Sequence, residues 1–473
     1  MQRRTQIGKT LILVAVGLVA VTALIVAGCT AGLAGSNPIT QITGTPVSVP
    51  VTITDAPGDQ VVAASLTLNS IVLTDSKGLT ASILSSPLTF EAAHLDAVQE
   101  PLFTPAIPQD TYTSVYLTYS NAVVDYIDPT TKQLVTGTAA LANTSQTITF
   151  ATPITIGNSQ TSLLVDYLVA QSVSISGTTV TVTPTFDVKA VPIPPQPTNG
   201  TNGLLPGVQG KVSAVGTNQF TLVDPRGNST VIAVNSNTQY QGPGFNSFSQ
   251  LAVGMIVQVD IQIQQNGTLL ALRVEEQVPP NALGQLLIGP VTAVTGSPAT
   301  SFTELTQVHV GPSPTAAPVE KDTITINGST KFQLPGRFQN IQVGGVPFTP
   351  AFDASTMFAG QVVAVATSNL SNNAATADSV TLAPETVGGT ITAQSTTAGW
   401  TTITLTLNSG SWLAALTGKT SVLVLLPPSP VASTAPNAPA VGSAMRFNGF
   451  LFNNNGTLVL VAVAQGPPPG QPI

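Results

Sequence analysis

The chain has 473 residues and a formal net charge of −7, with only 7% charged residues against 42% hydrophobic residues. Disordered chains combine high charge with low hydrophobicity, so this composition excludes a chain that is disordered throughout. The 14 Lys and Arg residues are spread along the whole sequence. Because there is no basic cluster to neutralise phosphates, we expect no nucleic-acid partner.

The N-terminus begins with a basic segment that contains Arg3, Arg4 and Lys9, followed by an uncharged run over residues 10–27 that is rich in Leu, Val and Ala. This layout is typical of a secretory signal. A transmembrane anchor is the alternative, because about 18 apolar residues can just span a bilayer. The run ends in Val-Ala-Gly-Cys, and Cys29 is the only cysteine in the chain.

The Val-Ala-Gly-Cys sequence resembles the lipobox of bacterial lipoproteins. The resemblance implies that residues 1–28 are a lipoprotein signal peptide and that the sulfur of Cys29 carries a lipid, with acyl chains such as palmitate. Several acyl chains together anchor a protein stably. We therefore expect attachment to a membrane of the bacterial cell envelope through the lipid on Cys29. Thr30 follows where an Asp would favour retention at the inner membrane, so the outer membrane is favoured.

Residues 29–47 are small and polar and predict a flexible tether. Residues 48–191 show apolar side chains at every second position, as in the segment 180–188. This period is typical of half-buried antiparallel strands, and it predicts one β-sandwich domain of about seven strands. The one stretch with a helical pattern is residues 90–98.

Three short segments of this domain occur in an order that is typical of a known family. They are T-D-A-P at 54–57, I-V-L-T-D at 71–75 and the strand that runs from Pro108 to Val115. In this order they resemble domain-of-unknown-function family 4382, which occurs in bacterial envelope lipoproteins. The resemblance implies a sandwich-like fold and no established activity.

A Pro/Gly-rich linker is predicted at residues 192–207, and repeats follow it. The repeats span 208–278, 286–384 and 386–465, and the Pro/Gly-rich tail 466–473 is predicted to be disordered. Each repeat has a glycine in its opening strand and another in a later V-G-x-x-V-like segment. The six glycines are Gly210, Gly289 and Gly389 at the first place, and Gly254, Gly360 and Gly442 at the second.

Glycine allows the sharp bends and bulges of a small barrel, so the pattern predicts three small β-barrel-like repeats. The repeats resemble domain-of-unknown-function family 5666, and the first one matches best, including Ser-Asn-Thr before Tyr240 and the run 248–251. The irregular period favours separate domains in line over a solenoid. The predicted fold class is therefore all-β: an N-terminal β-sandwich followed by three small β-barrel-like repeats.

Candidate chemistry centres on one of the two histidines. His94 lies near Glu91, Asp96 and Glu100, and on a helical turn Glu91 and His94 would share a face. This grouping suits an acid/base pair or part of a metal site, whereas a short polar turn is the structural alternative. The other histidine, His309, sits in a strand pattern and is predicted to be structural.

Asp55 and Asp59 lie in T-D-A-P-G-D, which suits either a calcium site or an ordinary β-turn. No other cofactor is expected. Tyrosines of the first domain form a possible sugar-stacking row, although the alternation places some of them in the core. They are Tyr112, Tyr116, Tyr119, Tyr126 and Tyr167.

The sequence lacks a G-x-S-x-G elbow, a Walker A loop and an EF-hand loop. We therefore expect no enzymatic activity, but a lipid-anchored envelope protein with a binding or structural role towards glycans or another envelope protein. The alternative is a glycan-active or metal-dependent enzyme of the first domain. Its binding or catalytic residues would be Asp55, Asp59, Glu91, His94 and Asp96.

Overall fold

Alternating and β-branched sequences form strands along almost all of the chain that the computed structural model describes. It describes residues 42, 44–55, 59–95, 98–128, 130–157, 161–177, 179–193, 203–281, 283–312, 319–336, 338, 341, 346–408, 410–428 and 439–466. The predicted signal peptide, Cys29, Asp96 and all but the first residue of the predicted tail lie outside these residues. No helix in the described ranges is long and apolar enough to cross a membrane.

The first domain contains two short helices, η1 (Ala93–Leu95) and α1 (Val169–Ser172). Its strands are β1 (Pro46–Ser48), β2 (Val51–Asp55), β3 (Val61–Asp75), β4 (Thr80–Ser82), β5 (Leu88–Glu91), β6 (Glu100–Phe103), β7 (Ala106–Pro108), β8 (Asp110–Ile127), β9 (Leu134–Thr138), β10 (Ala140–Leu141), β11 (Ser145–Ile156), β12 (Thr161–Tyr167), β13 (Val173–Ser176), β14 (Thr179–Val182) and β15 (Phe186–Pro192).

Two main sheets of this domain share one apolar core. One has the order β11-β8-β3-β4, with β5 also on β3 and β9 also on β8, and the other has the order β15-β12-β2-β6. Their inner faces meet through aromatic pairs: the ring centres of Tyr119 and Phe186 are 5.9 Å apart, and those of Phe90 and Tyr167 are 5.7 Å apart. Two further small sheets, β1-β7 and β10-β14-β13, complete the domain.

Three expectations for this domain need correction. Residues 90–98 do not form one helix, because β5 continues to Glu91 and only η1 follows. The described end of the predicted tether belongs to the domain, since Ile42 is buried in its core and β1 pairs with β7. An exposed tyrosine row is not formed, because only Tyr116 is exposed (41%) and the other four tyrosines are buried.

The three repeats follow in order. Repeat 1 contains β16 (Leu204–Val215), β17 (Gln219–Val223), β18 (Ser229–Ala233), β19 (Gln239–Gln241), η2 (Phe248–Gln250), β20 (Ile256–Ile263) and β21 (Leu269–Val278). Repeat 2 contains β22 (Gln285–Gly296), β23 (Ala299–Thr306), β24 (Val308–Val310), β25 (Glu320–Thr325), β26 (Lys331–Gln333), β27 (Val362–Thr367), β28 (Ala374–Thr376) and β29 (Ser379–Leu382). Repeat 3 contains β30 (Glu385–Thr397), β31 (Trp400–Leu407), α2 (Trp412–Thr417), β32 (Ser421–Leu426), β33 (Ala444–Asn454) and β34 (Thr457–Gly466).

The strand pairing is the same in each repeat. In repeat 3, β30-β31-β32-β34-β33 form a closed barrel, in which β32 and β34 run parallel. Repeat 1 forms the corresponding ring, because β18 pairs in parallel with β21. In repeat 2 the last strand is divided into β28, which pairs with β25, and β29, which pairs with β27. The nearly all-β fold with barrel-like units is thereby confirmed.

The second of the two glycines shared by the repeats fixes a bend in each barrel. Gly254, Gly360 and Gly442 all have positive φ angles, of 92°, 112° and 94°. In each repeat the amide of this glycine donates to a carbonyl of the opening strand, at 2.8–2.9 Å. That strand has a β-bulge directly after the accepting residue. The glycine therefore fixes the same bend three times.

The repeats do not stand apart in line as predicted, because residues Thr40–Ile473 form one compact unit. Apolar residues on the outer faces of the strands join the units. Ile256 and Val278 of repeat 1 pack with Leu286 and Val308 of repeat 2. Another cluster joins the first domain, repeat 2 and α2 of repeat 3. This packing places a cavity where the four β units meet.

Candidate functional site

The cavity between the four β units has a volume of about 170 Å³, and we call it the central cavity. Each unit contributes polar side chains to its wall. Asp59 and His94 come from the first domain, Gln209 from repeat 1, Gln307 from repeat 2 and Asn448 from repeat 3. A wall assembled from distant parts of the chain is typical of ligand sites, which occur preferentially at domain interfaces.

Amide side chains dominate the polar part of this wall. Gln209, Gln258 and Gln277 come from neighbouring strands of repeat 1, β16, β20 and β21. Asn448 donates from Nδ2 to Thr386 Oγ1 at 3.0 Å. Gln209 is only 8% exposed, and its Oε1 atom is buried without a hydrogen-bond partner among the described residues. Buried polar atoms are almost always bonded, so this oxygen is suited to a donor from a ligand or a water.

Glu385 adds a buried carboxyl group to the wall. It is the first residue of β30 and is only 4% exposed. The backbone amide of Val362 donates to its Oε1 at 3.4 Å, whereas its Oε2 is buried and has no partner within the described ranges. Burial raises the pKa of Glu385 well above its ordinary value, and the bond from Val362 only partly opposes this. Burial therefore favours the protonated form, in which the carboxyl group can both donate and accept a hydrogen bond.

Two aromatic residues, Trp412 and Phe450, complete the apolar part of the wall. Trp412 is the first residue of α2, and its backbone amide donates to the carbonyl of Asp59 at 2.8 Å. Ser411 caps this helix by accepting from the amide of Ala414 at 3.4 Å. The cap and the contact with Asp59 fix α2 between the first domain and repeat 3.

One side of the central cavity carries a chain of charged groups. His94 donates from Nδ1 to Glu91 Oε2 at 2.8 Å, and its Nε2 lies 3.2 Å from Glu100 Oε1. Glu91 is fixed in turn, because its Oε1 accepts from the amides of Ala64 and Ala93 at 2.9 and 2.8 Å. The turn of η1 thus holds the imidazole between two carboxylates.

The carboxylates determine the charge of His94. Burial favours the neutral imidazole, but the attraction of Glu100, followed by that of Glu91, outweighs it and raises the pKa of His94 to about 9. For Glu100, burial is likewise outweighed, by His94 and then Arg226, and its pKa falls to about 2. At neutral pH, His94 is therefore a cation and Glu100 an anion.

The charged chain continues into repeat 1. Arg226 donates from Nη1 to Glu100 Oε2 at 3.2 Å and from Nη2 to the carbonyl of Pro101 at 3.0 Å. Its Nε donates to Asp224 Oδ2 at 2.8 Å. Asp224 also accepts the amides of Arg226 and Asn228 through Oδ1, which closes the tight turn between β17 and β18.

The predicted site residues are only partly brought together. Glu91 and His94 are in direct contact, and Asp59 lines the same cavity as His94. Asp55 is fully buried at the end of β2, where its Oδ1 accepts the amide of Val169 at 3.1 Å. Asp59 instead accepts from Asn408 Nδ2. The two aspartates thus bond to different elements, and Asp96 lies outside the described residues.

His309, which was predicted to be structural, lies next to the charged chain around His94. It lines a cavity of about 60 Å³ together with His94, Glu91 and Glu100. Its Nε2 lies 2.8 Å from Gln285 Oε1, and burial lowers its pKa. In the ranges that the structure covers, no group of three or more His, Cys, Asp and Glu residues is arranged to hold a metal ion.

Most residues of the cavity wall were not predicted, and Gln209, Arg226 and Glu385 are examples from the cavity region. Gln209 and Glu385 lie within strand patterns, and Arg226 lies in a turn, so none of them carries a local functional signal. Their positions depend on contacts between the β units, as in the 126-residue separation of Arg226 from Glu100.

Comparison with known families identifies one domain. Residues 209–275 match the family described as Domain of unknown function (DUF5666), so the chain contains one such domain, within the predicted first repeat. No match to domain-of-unknown-function family 4382 was found in the first domain. No curated protein was found to match the chain.

Proposed function

We propose that this protein is a lipid-anchored component of the bacterial cell envelope that binds glycans without altering them chemically. The N-terminal sequence that ends in Cys29 supports the anchor and favours the outer membrane. The central cavity supports the binding role, and it is the observation that carries the proposal. Its small volume suits a single sugar unit or the end of a glycan chain.

The chemistry of the wall favours a neutral ligand with many hydroxyl groups. Amides donate and accept hydrogen bonds, and burial favours the protonated form of Glu385, which does the same. The unpartnered oxygens of Gln209 and Glu385 provide two fixed positions for ligand hydroxyls. Trp412, which is only partly buried, offers apolar surface to the carbon skeleton of a sugar. A nucleic acid would require a basic surface instead.

The same geometry disfavours the enzymatic alternative. A general base must be unprotonated at the operating pH, whereas His94 has a pKa of about 9 and contacts a carboxylate on each side. We therefore assign Glu91, His94 and Glu100 a positioning role, in which they hold η1 against repeat 1. Asp59 holds α2 in the same way.

Binding of sugars to the full-length protein in detergent tests this proposal. Isothermal titration calorimetry with neutral monosaccharides and their short oligomers should show saturable binding. Glu385→Leu, which removes the polar groups, should weaken it by at least about tenfold, the effect of losing one good hydrogen bond. Glu276→Leu, outside the cavity, is the matched control. Absence of binding by the wild type, or unchanged binding by Glu385→Leu, would refute the proposal.

Two further results would favour the other functions. Cleavage products of the titrated oligosaccharides, detected by mass spectrometry, would support an enzyme. Stable envelope proteins that co-purify with the acylated chain, without any sugar binding, would support a structural subunit.

We also propose that repeats 2 and 3 are divergent copies of the DUF5666 domain of repeat 1. The shared strand pairing and the shared glycine hydrogen bond support this relationship. The first domain is proposed to be a relative of domain-of-unknown-function family 4382, on the sequence segments described above.

A further inference from the structure

A second concave surface lies at one end of repeat 1, away from the central cavity. Three loops form it: the turn between β16 and β17, the segment between β18 and β19, and the segment that leads into η2. We call it the repeat 1 groove, and the residues that matter are Asn218, Asn235, Ser236, Tyr240, Asn246 and Phe248. Its volume of about 550 Å³ falls in the range of known ligand sites, roughly 300–1,000 Å³.

The groove is neutral and polar. None of its described lining residues is charged, and asparagine and serine side chains form its rim. Backbone bonds hold the loops: the amide of Val234 donates to the carbonyl of Asn218 at 2.9 Å, and the amide of Asn246 donates to Gln250 Oε1 at 2.8 Å. The exposed side-chain amides of Asn218 and Asn246 make no hydrogen bond within the described chain. They are therefore available to a ligand.

Aromatic rings form the base of the groove. Tyr240 packs edge-on against the buried Phe245, with ring centres 5.6 Å apart, and lies 6.4 Å from Phe248. The hydroxyl of Tyr240 is buried and has no hydrogen-bond partner among the described residues.

We propose that the repeat 1 groove binds a stretch of a neutral polysaccharide, with sugar rings against Tyr240 and Phe248 and sugar hydroxyls on the asparagine amides. The proposal rests on the proposed glycan role for its ligand class, but it assigns a separate site. Single-stranded nucleic acid also stacks on aromatic rings, but it requires a positively charged groove. The repeat 1 groove has no lining cation.

Retention on immobilised neutral polysaccharides tests the inference. The full-length protein in detergent is passed over dextran, xyloglucan and chitin-oligosaccharide columns at low and high salt, with a single-stranded oligonucleotide column in parallel. We expect retention on at least one polysaccharide, independent of salt because the ligand is uncharged. Asn218→Ala combined with Asn246→Ala should weaken it by at least about tenfold, as expected for the loss of two hydrogen bonds.

The controls separate this site from the central cavity. The two asparagines are exposed, so their double variant should keep the wild-type unfolding midpoint. Tyr116→Ala, which removes an exposed aromatic ring of the first domain, should leave polysaccharide retention unchanged.

Several outcomes would overturn the inference. They are unchanged retention of the asparagine double variant, loss of retention in Glu385→Leu alone, salt-sensitive retention, and preference for the oligonucleotide. If monosaccharides bind but no polysaccharide is retained, the groove assignment fails while the proposed function of the central cavity survives. If the polysaccharide binds but monosaccharides do not, the central cavity fails and the groove stands.

Discussion

His94 is the most constrained ionisable side chain of the central cavity. Its two ring nitrogens face Glu91 and Glu100, and Glu100 is shared with Arg226 of repeat 1. All four side chains are at most 16% exposed. Charges taken out of water are tolerated only when they are paired, so removing one member leaves its partners uncompensated.

We therefore predict that His94→Gln destabilises the protein strongly. The neutral amide leaves Glu91 without its cation and leaves Glu100 with Arg226 alone. The expected loss is about 3 kcal/mol, the lower end for breaking a buried ion pair. Urea unfolding followed by tryptophan fluorescence measures it.

The matched control is His309→Gln. This histidine is also partly buried, but burial lowers its pKa, and its main contact is one hydrogen bond to Gln285. We expect a loss of about 1 kcal/mol or less. Equal effects of the two substitutions would show that the charge of His94 contributes nothing to stability.

The pH dependence of stability gives a second prediction. The pKa of His94 is raised from 6.5 to about 9, so its contribution is complete below pH 6.5 and is lost as the pH rises through 9. The pKa of Glu100 is lowered from 4.5 to about 2, so its contribution is complete above pH 4.5 and is lost as the pH falls through 2. The pair therefore stabilises the protein most between pH 4.5 and 6.5.

Urea unfolding of the wild type and His94→Gln at a series of pH values tests this sign. The difference in unfolding free energy between the two proteins should be largest between pH 4.5 and 6.5 and should shrink towards pH 10. Subtraction removes contributions common to both proteins, such as that of Asp125, whose pKa burial raises to about 6. A difference that grows with alkaline pH would contradict the assignment.

The sequence predicted the contact between Glu91 and His94 but not most of the other groups around the central cavity. Glu91 and His94 are three residues apart in a turn, and local spacing was enough to predict their contact. Arg226 and Glu385 could not be predicted, because their role depends on which loops and strand ends meet between the units. The position of Arg226 in a turn between two strands does not indicate that its guanidinium reaches Glu100 of another unit.

At the level of elements, one glycine position allows neighbouring barrel strands to approach closely. Gly210, Gly289 and Gly389 lie in the opening strands of the three repeats. A β-carbon at Gly289 would overlap the carbonyl oxygen of Leu305 in β23, and one at Gly389 would overlap that of Thr406 in β31. The opening strand can therefore lie this close to its neighbouring strand only because the position has no side chain.

We predict that Gly289→Ala destabilises the protein by about 1–3 kcal/mol, the usual range for overpacking, because β22 and β23 must separate. Thermal unfolding monitored by circular dichroism measures the change.

Gly137→Ala in β9 is the control. A β-carbon there meets nothing within 4 Å, and the backbone does not adopt a positive φ angle. This substitution should change stability by less than about 0.5 kcal/mol. If Gly289→Ala is equally harmless, the close approach does not limit the barrel.

The recurrence of these glycines is also why the repeat architecture could be predicted. Period-2 alternation predicts strands, and the two glycine positions mark where each small barrel bends. The parallel closing pairs, such as β32 with β34, were not predictable, because alternation does not identify a strand's neighbour. The packing of one unit on another was missed for a related reason: Ile256 and Ala364 occupy strand positions like any other, yet they face a second unit.

At the level of the whole molecule, the β units are joined by apolar contacts as well as by the charged chain. Leu305 of repeat 2 packs with Ala63 of the first domain and Ala415 of α2, so three units meet around one side chain. The central cavity lies among the same units, and its wall exists only while they stay together. We therefore expect the full-length protein to unfold in a single cooperative transition by differential scanning calorimetry.

Leu305→Asp should divide that transition. A carboxylate at this 2% exposed position lies opposite Lys321 of β25, whose side chain is exposed, and burying it there costs about 3 kcal/mol or more. The first domain keeps its own core, so it should unfold separately from the repeats, and sugar binding in the central cavity should be lost with the interface. Val231→Asp, at a 53% exposed position of repeat 1, is the control and should preserve one transition. Separate transitions already present in the wild type would show that the cavity does not depend on the packing of the units.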